Sequence, residues 1–150
     1  FALQNASAVY LLNRSYDKAL AFAKEVKEKT GKEYIYPMSL SQYEKLPDRK
    51  FLAIQATSVG LYPDTERAVI EEEAFYRKIH TGYDLIYKPS ETCFMKLVRK
   101  QGGEAYHGLK MLLYQGIIAY ELWNNISVPE KIAVQLYEIL KKKMGVMDER

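Results

Sequence analysis

Hydrophobic and polar positions follow two alternating rhythms along this chain. Short apolar runs of strand length are separated by longer stretches in which apolar residues recur every three or four positions. The first run, residues 8–12 (AVYLL), reads as a buried strand ending at Asn13-Arg14-Ser15. Ser15 is placed to cap a helix with Ala19, Phe22, Ala23 and Val26 on one face and Gly31 as its stop. A second strand is expected at residues 33–36, followed by Pro37 and a short helical piece at residues 41–46 that Pro47-Asp48 breaks. Residues 51–56 (FLAIQA) form the third strand, leading into Thr57-Ser58-Val59-Gly60 and a polar loop through Pro63. Acids at the start and bases toward the end mark residues 71–79 as a helix in the order its dipole prefers.

The rest of the chain is organised around residues 83–123. Residues 83–87 are compact and β-prone, with Leu85 and Ile86 suited to burial, and Pro89 stops the run because proline cannot donate to a ladder. Ser90 is placed to cap the next helix, on which Cys93, Phe94, Leu97 and Val98 share a face and which Gly102-Gly103 closes. Ala105-Tyr106-His107 fits one more short strand. Gly108 then lets the backbone turn into a long helix carrying Leu112, Leu113, Gly116, Ile117 and Tyr120 toward a core. Gly108, Met111 and Gln115 lie along one side of that helix. Ser127 and Pro129 start a terminal helix with Ile132, Leu136, Ile139 and Leu140 inward and Gly145 at its end. Strands alternating with helices, without hairpin signals, predict parallel pairing with right-handed crossovers, an α/β layered fold.

Composition narrows the partners. At 150 residues, 48% hydrophobic and 27% charged, the chain has the size and balance of one globular domain. A net charge of +3, with Lys141-Lys142-Lys143 at a helix end as its only dense basic run, argues against a nucleic-acid partner. Thirteen tyrosines are spread without a matching basic face, which fits packing. The lone cysteine, Cys93, cannot form an internal disulfide and reads as a packed hydrophobe in a reducing compartment. The most apolar stretch, residues 111–123, is too short to cross a membrane and contains Gln115 and Glu121. A soluble, cytoplasmic protein is expected. His80 and His107 lack acidic partners at ligand spacing, so no metal site is expected, and Ser58 lacks the glycines of a nucleophile elbow.

Three constellations could carry chemistry. Asn13, Arg14, Ser15 and Lys18 stand at a strand's end, where a dinucleotide-binding fold meets the adenosine ribose; arginine there suits a 2′-phosphate, although a capped helix with two solvated cations explains the same residues. Ala56, Thr57 and Ser58 form a small-residue turn that would let a flat ring approach the backbone, or an ordinary strand-to-loop turn. Tyr87 and Gln115 are polar handles on apolar elements near Gly108 and Met111.

The order Tyr83-Asp84, Tyr87, Pro89, Thr92, then Gly108, Met111-Leu112, Gln115 and Glu121-Leu122-Trp123 resembles the C-terminal half of shikimate dehydrogenases. Asn13-Arg14-Ser15 with Lys18 is similar to that family's NADP motif. The turn at residues 55–60 follows its N-A-T-x-x-G pattern, with Gln55 where asparagine is usual. The resemblance implies a Rossmann-like parallel sheet with helices on both faces. It further implies NADP as cofactor, held by Asn13, Arg14, Ser15, Lys18, Ala56, Thr57, Ser58, Leu85, Gly108 and Met111. Shikimate or 3-dehydroshikimate would be the substrate, contacted by Tyr87 and Gln115. A quinate/shikimate enzyme using NAD or NADP, and a non-catalytic nucleotide-binding or assembly module, are the alternatives.

No glycine precedes Gly31, so the first strand and glycine-rich pyrophosphate turn of the Rossmann pattern are missing from residues 1–150, and residues 1–5 read as the tail of the helix after that turn. The family's catalytic lysine–aspartate pair has no counterpart here, and no catalytic residue is assigned. A fragment is expected, one partial NADP-binding domain that does not turn over shikimate alone and that dimerises or associates with an N-terminal domain.

Overall fold

In a computed structural model, which describes residues 6–146, five strands and five α-helices alternate along the chain. The proposed helix tail at residues 1–5 lies outside the described residues. The chain divides into two compact units, residues 1–49 and 50–150.

In the first unit, β1 (Val9–Asn13) pairs in parallel with β2 (Ile35–Ser39), and α1 (Tyr16–Thr30) packs on both. Ala19 is the residue α1 buries, whereas Phe22, expected inside, is half exposed. Pro37 does not end the second strand but sits within it, opposite Leu11. A proline is tolerated because β2 is bonded on one side only, and a missing N–H costs nothing on a free edge. A 3-10 helix, Leu40–Lys45, follows, its first turn closed by reciprocal bonds between Ser39 and Gln42.

In the second unit, β3 (Phe51–Gln55), β4 (Ile79–Asp84) and β5 (Glu104–His107) form a parallel sheet in that order. All strand pairs in both units are parallel, as expected. The doubly wound order 3-2-1-4-5-6, with its first strand not counted, leaves these two groupings.

β4 begins at Ile79, four residues before the expected start at Tyr83, and stops before the apolar signal at Leu85-Ile86. The expected helix at residues 71–79 shrinks to one turn, α2 (Glu73–Tyr76), because Ile79 is needed in the sheet. Helix α3 (Cys93–Lys100) crosses β4 and β5 and buries Phe94, Met95 and Val98 against Tyr76, Ile79 and Ala105. The approach is close: a β-carbon on Gly82 of β4 would meet Val98 at 2.9 Å and Phe94 at 3.0 Å. The cap of α3 is Thr92, not Ser90; its hydroxyl accepts from the Met95 N–H.

Helices α4 (Leu109–Asn124) and α5 (Glu130–Met144) pack on each other. Leu109, Ile117 and Ala133 are buried, but Tyr120, Ile132, Leu136 and Ile139, expected inward, are substantially exposed, the first three of them along an open apolar groove. No helix among the described residues is long and apolar enough to cross a membrane.

Candidate functional site

In the first unit the candidate residues gather at the carboxyl end of β1. Asn13 accepts the Ser15 N–H on its side-chain oxygen at 2.9 Å, a local turn that swings the chain into α1. Ser15 holds the N-cap position, yet its hydroxyl caps nothing; the side chain that organises this helix entry is Asn13. Arg14 and, one turn on, Lys18 are exposed and have no ion-pair partner among the described residues. The turn therefore presents two uncommitted cations beside a helix N-terminus, where backbone dipoles also favour an anion.

In the second unit, parallel pairing brings the carboxyl ends of β3, β4 and β5 to one edge of the sheet. Gln55, 6% exposed, is spent on local architecture. Its amide nitrogen donates to the Val59 carbonyl at 2.9 Å and its oxygen accepts from the Thr57 N–H at 2.7 Å. The Thr57 hydroxyl accepts from the Val59 N–H at 3.2 Å. These bonds hold the turn 56–59 in shape and leave Ala56, Thr57 and Ser58 exposed. Ala56, Thr57, Ser58, Leu61 and Tyr62 form one wall of an open cleft of about 680 Å³, and Leu85, Ile86, Tyr87 and Lys88 form the other. This is the crevice at strand carboxyl ends where open α/β sheets bind ligands.

The second wall is tied from three directions. Leu85 extends the ladder by donating its N–H to the Gln55 carbonyl at 3.0 Å. Gly108 donates to the Ile86 carbonyl at 3.1 Å, and a β-carbon on Gly108 would stand 2.2 Å from the Leu85 oxygen. Glycine is required at this turn for close approach; its φ of −77° is open to any residue. Asp84, fully buried, accepts the Ile86 N–H at 3.0 Å on one oxygen and the Thr92 hydroxyl at 2.6 Å on the other. Burial raises the Asp84 carboxyl above its ordinary range, and the bonds from Thr92 and Ile86 oppose that rise.

Of the expected residues, Ala56, Thr57, Ser58, Leu85 and Tyr87 meet around one cleft, and Gly108 supports it from behind. Met111 and Gln115 are exposed on α4. Asn13, Arg14, Ser15 and Lys18 share the β1 turn. Asp84, Thr92 and Gln55 are not among the expected site residues, and their roles rest on the hydrogen bonds of the folded chain. The spacing of Asp84 and Thr92, both present in the quoted pattern, was the available signal. For Gln55 it was an amide side chain set two residues before a hydroxyl in a turn.

A family model described as the shikimate 5′-dehydrogenase C-terminal domain matches residues 108–135. A shikimate dehydrogenase (NADP(+)) of Desulforamulus reducens is 32% identical over 129 residues, covering 85% of this chain and 44% of the relative. The solved chorismate mutase/shikimate 5-dehydrogenase fusion protein from Clostridium acetobutylicum superposes with a TM-score of 0.74 at 28% identity, over 93% of this chain and 46% of that one. A shikimate dehydrogenase solved in complex with NADP+ gives a TM-score of 0.73 at 27% identity, over 91% and 47% of the two chains. The chain thus spans about half the length of the relatives it matches. Likeness in sequence and in fold over nine-tenths of its residues places it: the chain belongs to the shikimate dehydrogenase family and corresponds to the C-terminal half of its members.

Proposed function

We propose that this chain is the cofactor-selecting part of an NADP-dependent shikimate dehydrogenase, which interconverts 3-dehydroshikimate and shikimate. The observation that carries the reading is the uncommitted cation pair Arg14 and Lys18 at the end of β1, in a chain whose curated relative is named for NADP(+). An exposed guanidinium with a second cation one turn away fits a ribose 2′-phosphate, whose oxygens the planar donors of Arg14 can take in pairs. When bound, NADPH supplies the hydride.

In the proposal, Asn13 shapes the turn and Ser15 adds a donor beside the phosphate. Ala56, Thr57 and Ser58 let a flat ring lie against the backbone, with Leu85, Gly108 and Met111 bordering it. Tyr87 and Gln115 orient the substrate's hydroxyls by hydrogen bonding. By the family resemblance, the proton exchanged at the substrate oxygen belongs to a lysine–aspartate pair on a separate domain with which this one would associate. The setting proposed is the cytoplasm.

The test is cofactor discrimination in the native protein. NADPH and NADH formation from shikimate are compared for the wild type and Arg14→Ala, with quinate as a parallel substrate. Loss of a charged hydrogen bond costs about 1.5–3 kcal/mol, so the NADP preference should fall roughly ten- to hundredfold. A preference that survives the substitution would overturn the assignment of Arg14. Turnover of quinate in place of shikimate would overturn the substrate.

A further inference from the structure

Asp84 is buried, and the two groups that bond it, the Ile86 N–H and the Thr92 hydroxyl, carry no charge; an uncompensated carboxylate is costly to desolvate. Donor and acceptor bookkeeping explains why a carboxylate stands there. The Ile86 N–H and the Thr92 hydroxyl both donate toward residue 84, and each needs an acceptor. The Thr92 oxygen already accepts from the Met95 N–H, so its proton is what it has left to offer. A carboxylate presents two acceptors in that fork. A carboxamide presents one, and would turn an N–H₂ toward the hydroxyl.

The fork sits where the cleft wall is anchored. It fixes Ile86, whose carbonyl receives the Gly108 N–H, and it fixes the first turn of α3 through Thr92. Gly60, at the end of the opposite turn, lies against the same two residues: a β-carbon there would touch Ile86 at 3.4 Å and Thr92 at 3.6 Å.

From this geometry we infer that Asp84 and Thr92 form a two-acceptor clip that positions the Leu85–Tyr87 wall for reaction. They act as positioning residues, without touching substrate or cofactor. The inference rests on the dehydrogenase reading for what the wall contacts, while the clip itself rests on the hydrogen bonds alone.

The experiment uses the native protein with Asp84→Asn, Thr92→Val and Thr92→Ser. For each, kcat and KM for shikimate are measured at saturating NADP, together with NADP affinity and amide exchange at residues 85–88. Asp84→Asn and Thr92→Val should lower kcat/KM for shikimate by about tenfold or more, the scale of a lost charge-assisted bond. Their NADP affinity should fall by less than kcat/KM for shikimate does, because the 2′-phosphate contacts proposed lie on the β1 turn and Leu85 alone of the wall borders the cofactor, and exchange at Ile86 should accelerate. Thr92→Ser keeps the hydroxyl and should retain most of the activity, which separates loss of the clip from general damage even if Asp84→Asn folds poorly. Lowered stability with unchanged kinetic constants in Thr92→Val would overturn the inference, as would equal losses in Thr92→Ser and Thr92→Val. A wild type inactive on shikimate would overturn the dehydrogenase reading, and accelerated exchange at Ile86 would in that case still establish the clip.

Discussion

A methyl group added to Gly108 would stand 2.2 Å from the Leu85 carbonyl oxygen and 2.7 Å from its carbon, whereas one added to Gly116, two turns along the same helix, would meet nothing within 4 Å. The same substitution should therefore have opposite signs at the two positions. Gly108→Ala must push the helix start away from the cleft wall, a clash with backbone that is expected to cost about 1–3 kcal/mol. Gly116→Ala removes a flexible residue from a helix interior and should gain about 0.5–1 kcal/mol. Denaturant midpoints of both variants check this, and a stable Gly108→Ala would mean that the turn yields more easily than the packing implies. Sequence marks Gly108 as a turn and Gly116 as core-facing, but Gly116 is exposed, and the close approach at Gly108 depends on what folds back against it. Gln55 is a similar case. It stands where the family pattern has asparagine, and its bonds to Val59 and Thr57 make it the residue that shapes the turn.

At the level of elements, the helices were largely legible and β4 was misplaced. Helices α1, α3, α4 and α5 announce themselves through apolar periodicity and terminal glycines. β4 reads IHTGYD, a run with a glycine and a histidine that propensity disfavours, while the Leu85-Ile86 signal just after it belongs to the cleft wall. Tertiary context decides the matter: Gly82 leaves room for Val98 and Phe94, and Asp84 can be buried because Ile86 and Thr92 donate to it. The cost of that burial has a pH signature. A carboxyl whose native pKa is raised above its ordinary 3.8 binds its proton more tightly when folded. Its contribution to stability is therefore greatest below that value and declines as pH rises through the raised native pKa. Asp84→Asn removes this slope. The unfolding free energy of the wild type minus that of Asp84→Asn should fall as pH rises from about 4 through the raised native pKa, and a flat difference would show that the carboxyl is better compensated than its surroundings indicate.

Across the whole molecule, the parallel pairing was legible because no hairpin signal interrupts the alternation of strands and helices. The amount of apolar surface left open was not. Leu122 and Trp123 are 76% and 83% exposed at the end of α4, and the α4–α5 groove keeps Tyr120, Ile132 and Leu136 accessible. Amphipathic spacing marks a face as apolar without saying what covers it. The bond between Asp84 and Thr92 reaches beyond chemistry into tolerated chain length. Surface loops accept extra residues cheaply, because closing a slightly longer loop costs little entropy. Residues 61–67 meet that description, with Leu61 through Asp64 exposed and local turn bonds from Leu61 to Ser58 and from Arg67 to Asp64. Residues 85–91 look like a loop of similar size, but one side-chain bond joins the residues flanking them, and backbone bonds at Leu85 and Ile86 tie their first two residues. One glycine inserted after Tyr62 should leave the melting temperature nearly unchanged, while one inserted after Lys88 should lower it by about 2–4 °C for each kcal/mol lost. Among sequences built on this plan, insertions and deletions should collect in the first loop, and the interval from Asp84 to Thr92 should keep its count.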